Sequence, residues 1–416
     1  MTAQRTVLIP YMGNYSKVIE AVLRGFGIHA MALSASSEAS IKLAAGLLKG
    51  GECFPCLITL GDLLKALDEV KEDQKITFFM PTAGGSCRFG LYKDVQKLAL
   101  KKLGFNGIEF ISPDNREGYS FGGNGRVLEL TFWKGIVCVD IFEMIVSNLR
   151  PYLNHHDVQH LEHHYEKFIK MLLKSLKNKA KGLKDILFEA NKGFEYFLYN
   201  TSSHNKPKVG LVGEIFVRGN NFANGEIVKL LEGLDLEVRI TPMSEWIHWI
   251  VDKHAQTSKK PLGVFPNLPN TIKSHILYTM ERKLRHQFKK FSYLFKGKTP
   301  FKLVRNASPY ANTGFGGEGL LTLGKAIELI EEGIDGIVCI HPFGCMPGNV
   351  IRVLSESITR DFHHVPWLNI SMDYQENTHR KTRLEAFAGQ VMLRKERSIH
   401  VKRSGFPLFK KVSHQA

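Results

Sequence analysis

The chain opens on a short apolar run, TVLIPYM from Thr6 to Met12. It passes directly into YSKVIEAVLRG, Tyr15 to Gly25, where Val18, Ile19, Val22 and Leu23 recur at helical spacing. An unbroken apolar run followed by a helical period predicts a buried strand and then an amphipathic helix. The alternation continues with His29 to Leu33, a helix over Glu38 to Leu48, and a helix whose Leu60, Leu63, Leu64 and Leu67 share one face. Then come KITFFM at Lys75 to Met80, a helix ending near Leu103, and Gly107 to Ser112. Strands that are apolar throughout and separated by helices predict a mostly parallel sheet covered on both faces.

From Phe142 to Tyr199 the strand signal stops and long charged-apolar helices take over, including HHYEKFIKMLLKSLKNKAKGLKDILFEANKGFEYFL. At Pro207 the βα alternation restarts with PKVGLVGEIFV, a helix over Gly225 to Leu234, LEVRITP and a basic helical stretch from Lys273 to Phe295. A helix over Leu320 to Glu332 and the runs Gly336 to Ile340 and Val365 to Ile370 complete it. The expected fold class is α/β, with two parallel-sheet domains and a helical connector. The expected boundaries are 1–140 for the N-terminal α/β domain, 141–205 for the connector, 206–392 for the C-terminal α/β domain and 393–416 for a basic tail.

Composition adds bounds. A 416-residue chain that is 44% hydrophobic and 23% charged can bury two or three cores, so disorder is not the default expectation. No apolar run approaches the roughly 18–20 residues of a membrane span, and the start reads into a strand rather than a signal peptide, so a cytoplasmic protein is expected. The formal charge of +16 favours anionic partners: nucleic acid, a phosphorylated ligand or an acidic protein. The stretch ERKLRHQFKKFSYLFKGK interleaves bases with aromatics, but no nucleic-acid-reading motif accompanies it. Docking of an acidic partner or a CoA phosphate fits it as well.

Six cysteines are too few for a disulfide scaffold in a chain of this length. Cys53 and Cys56 lie in GGECFPC, Cys87 in PTAGGSCRFGLY and Cys345 in HPFGCMPGN, all beside Gly or Pro and all just before a predicted helix. Helix N-termini offer free N–H groups and favour thiolates. Cys87 and Cys345 also follow predicted strands, which brings them to the sheet edge where open α/β folds bind ligands. Cys138 and Cys339 sit inside GIVCVDIF and GIVCI, where cysteine is a small hydrophobe. A thioredoxin-like dithiol directly follows a strand, whereas a helix precedes this C-x-x-C. A zinc ribbon brings a second short-spaced pair, and iron-sulfur clusters accept thiolates from distant loops. Spacing therefore favours iron-sulfur and leaves zinc and a metal-free arrangement open.

ECFPC, PTAGGSCRFGLY, VGEIFVRGNNFANGEIVKLLE, HPFGCMPGN and SMDYQENTHRKTRLEAF, in this order, resemble the family of iron-sulfur proteins related to 2-hydroxyacyl-CoA dehydratases and acyl-CoA dehydratase activases. The match runs from about Thr6 to Phe387. The resemblance implies flavodoxin-like domains and a [4Fe-4S] cluster held between them by Cys53, Cys56, Cys87 and Cys345. It also implies an ATP-dependent activase partner of the actin and Hsp70 type, which drives electrons to low potential. A second related subunit or a homodimer, and a small-molecule or CoA-ester substrate, belong to the same expectation. Characterised dehydratases pass one electron to the acyl thioester, giving a ketyl radical from which the hydroxyl leaves, while related proteins carry a double-cubane iron-sulfur cluster. No Walker loop is present, so the ATPase is assigned to the partner. Four thiolates saturate a cubane and suit electron relay, whereas three leave an iron open for substrate. The alternatives to an enzyme are therefore a non-catalytic relay or scaffold, and a structural zinc protein.

Arg88, Glu214 and His341 are the catalytic candidates: Arg88 to offset cluster charge or meet an anionic substrate, Glu214 at a strand end, and His341 as a proton donor. Arg218 and Asn221 share the Glu214 loop, and Asp373, Asn377 and Arg380 follow the last strand as loop-bracing residues. GFGGEG, Gly314 to Gly319, matches a dinucleotide pattern but follows a poor strand, so a tight turn is expected. His155, His156, His160, His163 and His164 read as a solvated helical face, with spacing that can also bind metal.

Overall fold

The computed structural model describes residues 5–69, 75–83, 87–113, 125–201, 205–257, 268–315, 318–373 and 379–403. The first apolar run forms β1 (Thr6–Ile9), followed by α1 (Gly13–Gly25), β2 (Ala30–Ala32), α2 (Glu38–Ala45), α3 (Phe54–Leu67) and β3 (Ile76–Phe79). A 3-10 turn at Arg88–Leu91 leads into α4 (Tyr92–Lys102) and β4 (Glu109–Ile111). All pairings are parallel, in the order β2-β1-β3-β4. Three long helices follow: α5 (Arg126–Leu149), α6 (His155–Lys177) and α7 (Leu183–Tyr199).

The second unit begins with β5 (Lys208–Gly213), α8 (Ile215–Gly219), α9 (Asn221–Asn224), α10 (Ile227–Glu232), β6 (Glu237–Ile240), α11 (Met243–Thr257) and α12 (Leu268–Arg285). A 3-10 stretch at His286–Phe295, α13 (Pro300–Ala307), α14 (Gly319–Glu331), β7 (Gly336–Pro342), α15 (Met346–Asp361), β8 (Trp367–Met372) and α16 (Arg380–Arg403) complete it. Its sheet is also parallel, in the order β6-β5-β7-β8. The fold class is thus α/β with two parallel sheets, as the periodicity predicts, and each has four strands in flavodoxin-like order, as the resemblance implies.

Side chains of a strand point alternately to its two faces, and the cores follow that rule. Val7 and Ile9 of β1 join α1, α5, α6 and α7 in one core, while Leu8 faces α3 and α4 in another. The second core continues across to Val209, Leu211, Val338 and Ile340 of the second sheet, and a third packs Ile337 and Cys339 against α13, α14 and α15. The two sheets therefore share buried apolar residues.

The boundary expected at 140 falls inside α5. That helix buries Phe142 against the rings of Phe194 and Phe288, with centroids 5.6 and 6.0 Å away. It also ties itself to β6, where Ser147 Oγ donates to the Val238 carbonyl at 2.8 Å and Asn148 donates to Glu237 at 3.0 Å. The helices of the expected connector form a packed layer with α1, α11 and α12. The basic stretch is not one helix: its backbone breaks at Phe288 (φ −107, ψ 53), which lets Phe288, Phe291 and Leu294 reach the core. The expected tail begins inside α16, and residues 404–416 lie outside the described residues. No helix among the described residues is long and apolar enough to cross a membrane.

Candidate functional site

Open parallel sheets leave a crevice at the carboxyl ends of their strands, where the strand order reverses. Here those points lie between β1 and β3 and between β5 and β7. Cys87 follows β3, Glu214 follows β5 and Cys345 follows β7. Three of the four loop cysteines are helix N-caps: Cys53 caps α3, Cys87 the Arg88–Leu91 turn and Cys345 α15. Cys56 lies in the first turn of α3. Pro55 and Pro347 occupy first-turn positions, where a missing N–H costs no helical bond. The remaining free N–H groups turn to sulfur, Phe89 donating to Cys87 and Gly348 to Cys345.

Cys53, Cys56 and Cys345 are buried and Cys87 is half-buried. Burial, and beyond it negative neighbours that include Cys53, pushes the Cys56 and Cys87 thiols up to about 12 and raises Cys345 as well. Burial also raises Cys53, against contacts with the Tyr92 hydroxyl and Arg88 that favour its thiolate. Free thiols held this way are inert at neutral pH, and a bound metal would deprotonate them. Among the described residues, no three of these sulfurs lie within 4.8 Å of one another. A zinc ion with Zn–S bonds of about 2.3 Å would draw its thiolates to under roughly 4 Å apart.

Arg88 joins the loops. Its guanidinium donates to the Gly51 carbonyl in the C-x-x-C loop, and it lies 3.8 Å from the point where a side chain on Gly344 would begin. A charge that the sequence offered to a cluster or to an anionic substrate thus stands among three cysteine loops.

Glu214 caps α8, accepting the N–H groups of Phe216 and Val217 at 3.1 and 2.8 Å. Beside it is Glu318, which accepts the Ile215 N–H at 3.1 Å. Burial, and then the Glu214 charge, lifts the Glu318 carboxyl to about 8. Glu214 is raised by burial too. In such a pair the charge on one carboxyl disfavours charge on the other. Glu318 is the fifth residue of GFGGEG, where only the glycines draw attention. Gly316 and Gly317 lie outside the described residues, and Glu318 opens α14.

Arg218 donates to the carbonyls of Gly213 and Thr241 at 2.9 and 2.6 Å, which is bracing. The neighbour of Asn221 makes the cross-sheet contacts: buried Asn220 donates to the Tyr11 carbonyl at 3.2 Å and to Ser36 Oγ at 2.9 Å. Arg380 packs its guanidinium against Gly225, and Asn377 lies outside the described residues. In the histidine run, His156, Asp157 and His160 bring ligand atoms within 4.8 Å of one another on an exposed face, whereas His164 packs on Phe194 and bonds the Ala190 carbonyl. Cys138 and Cys339 are fully buried in apolar cores.

His341 is 1% exposed. Burial, and then the Arg352 charge, lowers its pKa from 6.5 to about 4. The ring is neutral at physiological pH, which suits hydrogen bonding rather than proton donation. A depressed histidine pKa gives stability that is present above 6.5 and is lost as pH falls toward 4. Between about pH 7 and pH 5 the native protein is expected to lose about 2 kcal/mol through this group. Urea unfolding of His341→Gln should show a correspondingly shallower pH dependence.

No protein-family model matches the chain, and no curated protein matches it.

Proposed function

We propose that the chain is an iron-sulfur redox protein related to the 2-hydroxyacyl-CoA dehydratases. In this reading a [4Fe-4S] cluster is held by Cys53, Cys56, Cys87 and Cys345, and a separate ATP-hydrolysing activase feeds it low-potential electrons for a reductive or radical reaction. The observation that carries the reading is the set of four thiols on helix N-termini drawn from both sheets, with one guanidinium among their loops. When bound, such a cluster supplies one-electron chemistry at low potential.

The chain's own groups have definite tasks in that setting. Backbone N–H groups at Phe89 and Gly348 bond the sulfurs, Arg88 offsets negative charge, and the buried Tyr92 ring shields Cys53 from water. Glu214 and Glu318 lie within electrostatic reach of the thiols, and in this reading either carboxyl, when protonated, is a proton source beside them. A closed relay is the second reading, favoured by Cys56, which at 1% exposure leaves little room for a substrate at its sulfur.

Iron and sulfide counting on anaerobically reconstituted protein, with EPR of the reduced state, tests the proposal. About four of each per chain is the expected result. Zinc in place of iron would replace the reading with a structural zinc protein, and absence of any metal would discard it. A count near eight would require ligands from a second chain, since Cys138 and Cys339 are sealed in separate cores.

A further inference from the structure

A cavity of about 850 Å³ opens between α11, α12, the 286–295 stretch and the second half of α14. It is lined by none of the four loop cysteines, and its volume lies in the range of small-molecule sites. Its floor is a clamped imidazole. His248, 3% exposed, directs Nε2 to Glu281, whose carboxylate also takes Arg285 and, at 3.4 Å, the Ser244 hydroxyl. Tyr278 stacks on the imidazole at 3.7 Å and 6°, and Trp133 meets it edge-on at 4.6 Å. These contacts fix the ring and leave Nδ1 facing the cavity without a bond among the described residues.

Two buried nitrogens on this floor have no hydrogen-bond partner among the described residues: His248 Nδ1 and Arg285 Nε. Buried polar atoms are almost always bonded, so the pair calls for something in the cavity that both gives and takes a hydrogen bond. A hydroxyl group does both: it accepts from Nε and can give to or take from Nδ1, whichever role the imidazole has.

Seven lysine and arginine side chains line the cavity against three carboxylates. Acids on or behind the wall take up Lys208, Arg239, Lys298 and Lys325. Exposed Arg282 and Lys296 have no ion pair among the described residues and form the positive rim. Arg282 and Arg285 stand three residues apart on one face of α12, about 4.5 Å along the axis. One sugar-sized molecule spans that distance.

We propose that this cavity binds a small phosphorylated polyol, with its hydroxyl groups on His248 and Arg285 and its phosphate on Arg282 and Lys296. The proposal does not depend on the iron-sulfur reading. Calorimetric titration of the full chain with ribose 5-phosphate, inorganic phosphate and ribose, at matched ionic strength, tests it. Ribose 5-phosphate should bind at one site per chain, at least about tenfold more tightly than inorganic phosphate or ribose. Arg282→Ala and Lys296→Ala, both at exposed positions that leave the fold intact, should each weaken it at least about tenfold, while Lys283→Ala, outside the cavity, should not. Absence of saturable binding below about 10 mM, or affinity unchanged from the unsubstituted protein in both variants, would overturn the site. Equal binding of inorganic phosphate would overturn the polyol.

Discussion

Cys53→Ala or Cys345→Ala in the reconstituted protein is expected to lower iron from the proposed four or so to below about one per chain, while Cys138→Ala should leave it unchanged. The contrast follows from where the sulfurs stand. Cys53 caps α3 and Cys345 caps α15, on loops from different sheets, so losing either removes one side of the site. Cys138 is buried in the α5 core, and alanine there removes little volume. Cys56→Ala separates the closed from the open arrangement. Iron is lost as fully as in Cys53→Ala if all four sulfurs ligate, and most of it stays if Cys56 stands aside. Retention of iron and sulfide in both the Cys53 and Cys345 variants would dismiss the four-thiol site.

Gly213→Val is expected to cost more than roughly 4 kcal/mol, enough to abolish cooperative unfolding or soluble expression. Gly213 closes β5 at φ +127, where L side chains are strained, and a Cβ there would lie 1.9 Å from the Ile340 carbonyl oxygen of β7. That carbonyl already accepts the Glu214 N–H at 2.9 Å, so it cannot withdraw without breaking the ladder beside the site. Gly27→Ala is the control. Its φ is +80, but nothing lies within 4 Å of the added methyl, and a cost of about 1 kcal/mol is expected. Urea titrations of the two variants compare steric overlap with backbone strain alone, and similar costs would refute the overlap argument.

The βα alternation was legible because strands buried on both faces are written as continuous apolar runs, and KITFFM became β3 within one residue of each end. The cysteine loops were legible for a related reason: Gly and Pro mark places where backbone must turn tightly into a helix. The partners at the site were not legible. Glu214 and Glu318 lie 104 positions apart, and nothing local in GFGGEG says that its acid will meet another. Asn220 was passed over for Asn221 because a single sequence cannot say which of two adjacent amides turns inward. His248 and Glu281 sit on separate helices, α11 and α12, inside patterns that read simply as amphipathic. Tertiary contact creates these pairs, and periodicity carries no record of it.

The split of the thiols between two sheets sets an order of events during synthesis. Cys53, Cys56 and Cys87 leave the ribosome with the first quarter of the chain, whereas Cys345 follows more than 250 residues later. For most of translation three reactive sulfurs therefore stand on a half-built edge, and their apolar cover, Val209, Leu211 and Val338 included, has not yet been made. If the four thiols form one site, as proposed, that site is complete only once β7 and its loop have been made.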